Sequence, residues 1–109
     1  MMMLVYRLER NGIGPYQRTN YTAQDIDICY ELMEAHIDHN HPCPYEDGLD
    51  KIYDDKTWFF GCDSEQSLRD WFGPFWMERL AKIGFEIKSY RARKYKYGRS
   101  GDQLIFRKV

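Results

Sequence analysis

The chain has no apolar run near the roughly 20 residues that a membrane-spanning helix needs. Its opening, MMMLVYRLER, also lacks the long apolar core of a secretory signal. The expectation is a protein that stays where it is made, in the cytoplasm and off the membrane. Cysteine is sparse as well: Cys29, Cys43 and Cys62 are widely separated and odd in number. That argues against a disulfide framework and for reduced thiols. Internal repeats and low-complexity tracts are missing, so neither a solenoid nor a biased tail is expected.

Aromatic residues are what the chain has in excess. They make up 17% of its 109 residues, so a modest number of side chains buries a useful area in a chain with room for one domain, 1–109, and one core. The net charge of −1 conceals a strong polarity. Residues 1–78 carry 6 Lys/Arg against 15 Asp/Glu, and residues 79–109 carry 10 against 2, about −9 and +8. Either the two ends pack together and neutralise each other, or the basic end faces a phosphate-bearing or acidic partner.

The chain is organised around Thr57 to Gly73, TWFFGCDSEQSLRDWFG. The apolar run Trp58-Phe59-Phe60 reads as a buried strand that breaks at Gly61 into a helix start, Asp63-Ser64-Glu65-Gln66. Asp63 is expected to cap the first turn, with Gln66 reaching back in a capping box. Leu68, Trp71 and Phe72 then fall on one helical face, and Gly73-Pro74 stops the helix. Such a strand end beside free N–H groups either attracts an anion or is simply capped by Asp63 and Ser64.

Before this unit, Met3 to Leu8 reads as a strand with Arg7 its one charge. An arginine there either points into water or meets a carboxylate or phosphate, which its planar fork binds at two points. Asn11 to Pro15 is a turn. Ile26, Cys29, Tyr30, Met33 and Ile37 recur at helical spacing, so residues 23 to about 37 are expected to form an amphipathic helix. At its exit lie His36, His39, His41 and Cys43. Their spacing reproduces no familiar zinc pattern, and no second ligand cluster exists to close a site. The acidic stretch 44–56 is either a surface loop or a lid.

After the central unit, Trp76, Leu80 and Ile83 mark a further short helix ending at Gly84. Strands are expected at Phe85–Tyr90, Lys94–Tyr97 and Gln103–Phe106, with Gly98–Gly101 as the last turn. The fold class is α+β: a mainly antiparallel twisted sheet with about three helices. Tyr90, Arg91, Arg93, Lys94, Tyr95, Lys96, Tyr97 and Arg99 interleave cations with aromatics. Strands that bind nucleic acid do this, and so do edge strands protected from aggregation.

An opening VYRLE strand, a GIGPY turn, an HPCPYEDG loop, FFGCDSEQSLRDWF, LAKIGFEIKSY and a closing GDQLIF together span nearly the whole chain. The combination resembles a family of small bacteriophage and prophage proteins, mostly of uncharacterised function. More distantly, the arrangement is similar to the ADP-ribosyltransferase fold. That likeness implies an NAD cleft in which Arg7, with Tyr6 beside it, holds phosphate or ribose, and Phe60 and Ser64 flank the nicotinamide. Gln103 falls where active transferases keep Glu. A glutamine accepts a hydrogen bond but supplies no negative charge to an oxocarbenium-like transition state. The resemblance therefore implies a weakened enzyme, one using another carboxylate such as Glu65, or a cleft that only binds NAD or a nucleotide. The phage resemblance implies a second class of function: a non-catalytic accessory protein in the host cytoplasm. It would bind a host protein through its charge-segregated surfaces and block a defence or regulatory factor.

Overall fold

Period-two alternation at both ends of the chain and helical spacing between them yield six elements. The computed structural model describes residues 2–12, 14–15, 23–36, 41, 47–49 and 58–108. In chain order the elements are β1 (Met3–Glu9), α1 (Ala23–Ala35), β2 (Phe59–Gly61), α2 (Glu65–Lys82), β3 (Glu86–Tyr97) and β4 (Leu104–Lys108). The α+β class holds, with every strand pair antiparallel in the spatial order β1-β3-β4-β2.

The sheet curls back on itself. Tyr6 of β1 and Cys62, just past β2, exchange backbone hydrogen bonds of 2.8 and 2.9 Å, which join the two outer strands. Gly61 permits this approach: a Cβ there would overlap Cγ1 of Val5 and lie 2.9 Å from the Tyr6 carbonyl oxygen.

β3 serves two partners in turn. Its first half, to Ala92, pairs with β1, and its second half pairs with β4. A register shift between Ala92 and Lys94 marks a bulge that bends the strand between the two. The expectation of two separate strands, Phe85–Tyr90 and Lys94–Tyr97, is corrected to one of twelve residues. No glycine or proline interrupts the run, and the bulge absorbs the bend.

Alternation makes both faces of β1 apolar. Leu8 joins Cys29 and Leu32 of α1, Leu68, Phe72 and Leu80 of α2, and Phe85 in a core between sheet and helices, with Tyr6 packed against it. Val5 turns the other way and joins Ala92, Leu104 and Phe106 inside the curl, lined also by Met3, Phe59 and Tyr90.

α2 starts one residue later than expected. Ser64, not Asp63, is the N-cap, its Oγ accepting the Ser67 N–H at 3.0 Å. Gln66 donates to Asp70 at 2.8 Å, so the capping box does not form. The predicted stop at Gly73-Pro74 is a real break, with Gly73 at φ 81 and ψ 158 inside the helical span. The expected pair of helices is thus one element broken in the middle, giving two helices rather than about three among the described residues. Its end is a Schellman turn: Gly84 at φ 96, Gly84 N–H on Ala81 O at 3.1 Å, and Phe85 N–H on Leu80 O at 3.1 Å. Arg10 adds a charged donor to the Ile83 carbonyl at 2.8 Å, beside the negative end of the helix dipole.

Candidate functional site

The expected site divides at its first two residues. Tyr6 packs on the helix side of the sheet. Arg7 alternates with it and lies on the side of Val5, 7% exposed. Its Nε donates to Glu9 Oε2 at 3.1 Å, and its Nη1 donates to the Phe60 carbonyl at 2.9 Å. The guanidinium also sits 5.2 Å from the centre of the Phe59 ring. Glu9, 5% exposed, accepts the Tyr90 hydroxyl at its other oxygen. Burial, then this hydrogen bond to a carboxylate, push the Tyr90 phenol up to about 12. Arg7 thus ties β1 to the backbone of β2, and Phe60 takes part through its carbonyl oxygen.

Gln103 belongs to a second network, at the β3–β4 turn. It falls just before β4 and is 7% exposed. Its amide donates to Asp47 Oδ2 at 2.9 Å, and Asp47, 3% exposed, also accepts the Ser100 N–H at 2.7 Å and the Ser100 hydroxyl at 2.9 Å. The Arg99 N–H reaches the Asp47 carbonyl at 3.0 Å. Gly98 is required beneath this carboxylate, because a Cβ there would overlap it. Gln103 and Asp47 together buckle the turn to the Asp47–Leu49 segment.

Ser64 is occupied as the helix cap and donates to Ser67 Oγ at 2.9 Å. Glu65 is exposed and pairs with Arg69 at 3.6 Å. It lines a shallow groove of about 590 Å³ over Leu8, Met77 and Phe85; Tyr6, Arg7, Phe60, Ser64 and Gln103 lie outside that groove. The six expected site residues are therefore shared among a seam, a turn, a cap and a groove wall. Among the described residues, the groove beside Glu65 takes in none of the other five.

Cys62 is a buried thiol 3.6 Å from the Asp102 carbonyl oxygen. Burial first, then the Asp63 and Asp102 carboxylates, push it from 9.0 up to about 12, which leaves it inert as a nucleophile near neutrality. His36 and His41 stack with ring centres 3.7 Å apart and planes 6° from parallel, and His41 Nε2 meets the Trp71 carbonyl. Their in-plane lone pairs run in parallel planes, which suits packing against Trp71 and Phe72 better than sharing one ion. No metal-ligand cluster occurs among the described residues. His39, Cys43 and most of the acidic 44–56 stretch lie outside them.

The basic end divides in two. Arg79, Lys82 and Lys88 pair with Glu31, Glu78 and Glu86 at 2.9, 3.4 and 3.1 Å. Arg91, Arg93, Lys94, Lys96, Arg99 and Arg107 are all exposed and form no ion pair with another described residue. Strand register then separates what the sequence interleaves. Lys94 lies opposite Arg107 and Lys96 opposite Ile105, whereas Tyr95 lies opposite Phe106 and Tyr97 opposite Leu104. The cations occupy one face of the hairpin and the tyrosines the other. Tyr97 donates to Asp63 Oδ2 at 2.8 Å, and that hydrogen bond, with some burial, raises its phenol.

Glu9, Tyr90 and Asp47 went unnoticed in the sequence as members of these networks. Glu9 stands two residues from Arg7, so period-two alternation was a usable signal for that pair. No sequence signal connects Asp47 to Gln103 or Glu9 to Tyr90, because only the fold brings them together.

No helix among the described residues is long and apolar enough to cross a membrane. No solved structure and no curated protein matches the chain, so the likeness to ADP-ribosyltransferases gains no support from either comparison. A family model described as Bacteriophage T4 Y00F protein matches residues 3–109, the span that contains all six elements, both buried networks and the basic hairpin. The chain belongs to this family of phage proteins.

Proposed function

We propose that this phage protein is a non-catalytic binding module whose working surface is the basic β3–β4 hairpin, docked on an acidic macromolecule of the host cell. The observation that carries the reading is the set of six exposed cations, Arg91 to Arg107, that lack a carboxylate partner among the described residues. Lys94 and Arg107 even stand directly opposite each other, an arrangement that costs stability in an antiparallel pair. An anionic partner relieves that repulsion.

The nicotinamide reading is weaker. Arg7 is engaged by Glu9 and the Phe60 carbonyl, and Gln103 by Asp47, so neither is set aside for a ligand. Calorimetric titration with NAD is expected to give no heat.

The binding surface is tested by retention on an immobilised polyanion across a salt gradient. Two triple variants remove the same charge: K94A/K96A/R107A takes cations that have no ion pair among the described residues, and R69A/K82A/K88A takes paired ones. The first is expected to elute at much lower salt than the wild type, the second close to it. Equal loss in both, or no retention of the wild type at low salt, overturns the proposal.

A further inference from the structure

The chemistry of the hairpin face narrows the partner, and we infer that it is duplex nucleic acid, gripped through its phosphates. This rests on the binding-module reading above. Three features of the face carry it.

First, the cations are arranged as a row. Lys94 and Lys96 lie on the same side of β3, and Arg107 lies across from Lys94 on β4. Alternate residues along a strand are about 6–7 Å apart, so the row presents several charges to one extended anionic surface. Arg99 stands exposed at the adjoining turn.

Second, among the described residues no large apolar side chain stands exposed beside Lys94, Lys96 and Arg107 to serve a protein partner as an anchor. The centre of a protein–protein interface is depleted in charge and relies on buried aromatic and apolar residues. Beside the cations on this face the described aromatics are Trp58 and, in register with Ile105, Phe60, both half-buried; the Arg107 guanidinium lies 4.8 Å from the Trp58 ring centre. The exposed tyrosines, Tyr95 and Tyr97, are in register with Phe106 and Leu104 on the other side.

Third, the same separation removes a stacking platform. Proteins that hold single strands combine a cationic track with aromatic rings on which bases stack. Here the exposed rings, Tyr95 and Tyr97, face away from the track, and the two rings on its side, Trp58 and Phe60, are half-buried. What remains is sequence-independent attraction to a dense line of phosphates, and a duplex carries one charge per about 1.7 Å of its axis.

The test uses the full chain with three fluorescent probes of matched charge: a 20-base-pair DNA duplex, a single strand, and polyglutamate. Binding is followed by anisotropy from low to moderate salt. The duplex is expected to bind most tightly, with log affinity falling linearly in log salt. K94A/K96A/R107A should flatten that slope by roughly 2 to 3, at about 0.9 per lost phosphate contact. K94R/K96R, which keeps the charge, should bind like the wild type, and thermal melts of both variants confirm that they fold. Tighter binding of the single strand overturns the duplex assignment in favour of stacking. Equal or tighter binding of polyglutamate overturns nucleic acid while leaving an acidic partner in place. Failure to bind any probe overturns both this inference and the binding-module reading.

Discussion

Two groups of cations sit on neighbouring strands of one sheet and have opposite fates. Arg7 on β1 is 7% exposed and has a carboxylate at 3.1 Å and a carbonyl at 2.9 Å. Lys94 and Lys96 on β3, with Arg107 on β4, are exposed and have no carboxylate among the described residues. In the sequence it is Arg7 that looks functional, a lone charge in an apolar strand, whereas the lysines look like ordinary edge decoration. The fold reverses this ranking. A buried charge has to be satisfied by the protein itself, and once satisfied it is part of the scaffold. An exposed charge costs little to keep, so a cluster of like charges with no carboxylate among the described residues calls for another reason to exist. Solvation alone does not favour placing Lys94 opposite Arg107.

The seam is where the largest effects on stability are expected. Arg7→Ala leaves Glu9 buried and the Phe60 carbonyl without this donor, and Glu9→Ala strands the guanidinium. Either single change should cost about 3–5 kcal/mol, the usual range for breaking a buried pair from one side. The double replacement Arg7→Met with Glu9→Leu removes both charges and should recover most of that loss. Urea-unfolding midpoints of the four proteins check both expectations. If the two single variants are as stable as the wild type, Arg7 is not structural and its claim to a ligand revives.

Gly61→Ala comes next, because its Cβ meets Val5 and the Tyr6 carbonyl oxygen, where backbone cannot give way easily. Overpacking of this kind costs about 1–3 kcal/mol. The loss should appear together with faster amide exchange at Tyr6 and Cys62, whose mutual hydrogen bonds close the curl. A variant with normal exchange at those two amides would show that the curl does not depend on a bare glycine.

Much of the scaffold was legible in these residues, and the reasons are local. The strand-break-helix order at Trp58 to Ser64 is written by an apolar run, a glycine and a capping hydroxyl within seven residues. Gly73-Pro74 and Gly84 likewise carry their own backbone preferences, and the structure breaks or ends a helix at each. Asp63 and Ser64 are both good caps one residue apart, so local chemistry does not choose between them, and Ser64 is the one that caps. Asp63 is instead held by Tyr97, 34 residues away. The same limit explains the site. Glu9 with Tyr90, and Asp47 with Gln103, are separated by 81 and 56 positions, and no spacing rule reaches across a sheet. The alternation of lysine and tyrosine at 94–97 did contain its answer, since period two in a strand means two faces.

Cys62 gives a smaller effect, whose pH dependence is confined to alkaline pH. Its folded-state value is raised, so the protonated thiol is the form the fold accommodates. The stabilising contribution is complete below the ordinary thiol value of 9.0 and is lost as pH climbs from there towards about 12, because the unfolded chain releases the proton first. Tyr90 acts in the same direction from 10.0 upwards. Cys62→Ala should therefore be less stable than the wild type at pH 8 and decline less steeply between pH 9 and 12. Parallel declines in the two proteins would show that the thiol is not protected by the fold. Alkylation gives a second readout: the folded protein at pH 8 should leave Cys62 unmodified until urea is added.

The hairpin should show the smallest effect on stability, which is what separates it from the seam. Lys94, Lys96 and Arg107 are exposed, and surface changes away from caps and buried partners fall within about 0.5 kcal/mol of zero. Small contributions of opposite sign compete, one of them the long, exposed hydrogen bond of 3.4 Å that Lys96 donates to the Gly48 carbonyl. Arg107 loses its contact with the Trp58 ring, worth about 0.5–1 kcal/mol at an exposed site. Removing the Lys94–Arg107 opposition recovers part of this. K94A/K96A should thus unfold at the wild-type urea concentration or slightly above it, and K94A/K96A/R107A slightly below. Salt sharpens the distinction, because repulsion among exposed cations is screened over about 10 Å at 0.1 M. Any gain in K94A/K96A should shrink as salt is added, while the cost of Arg7→Ala should barely change. A hairpin variant that unfolds as readily as Arg7→Ala would mean that these cations hold the sheet together, and the contrast between scaffold charge and surface charge would fail.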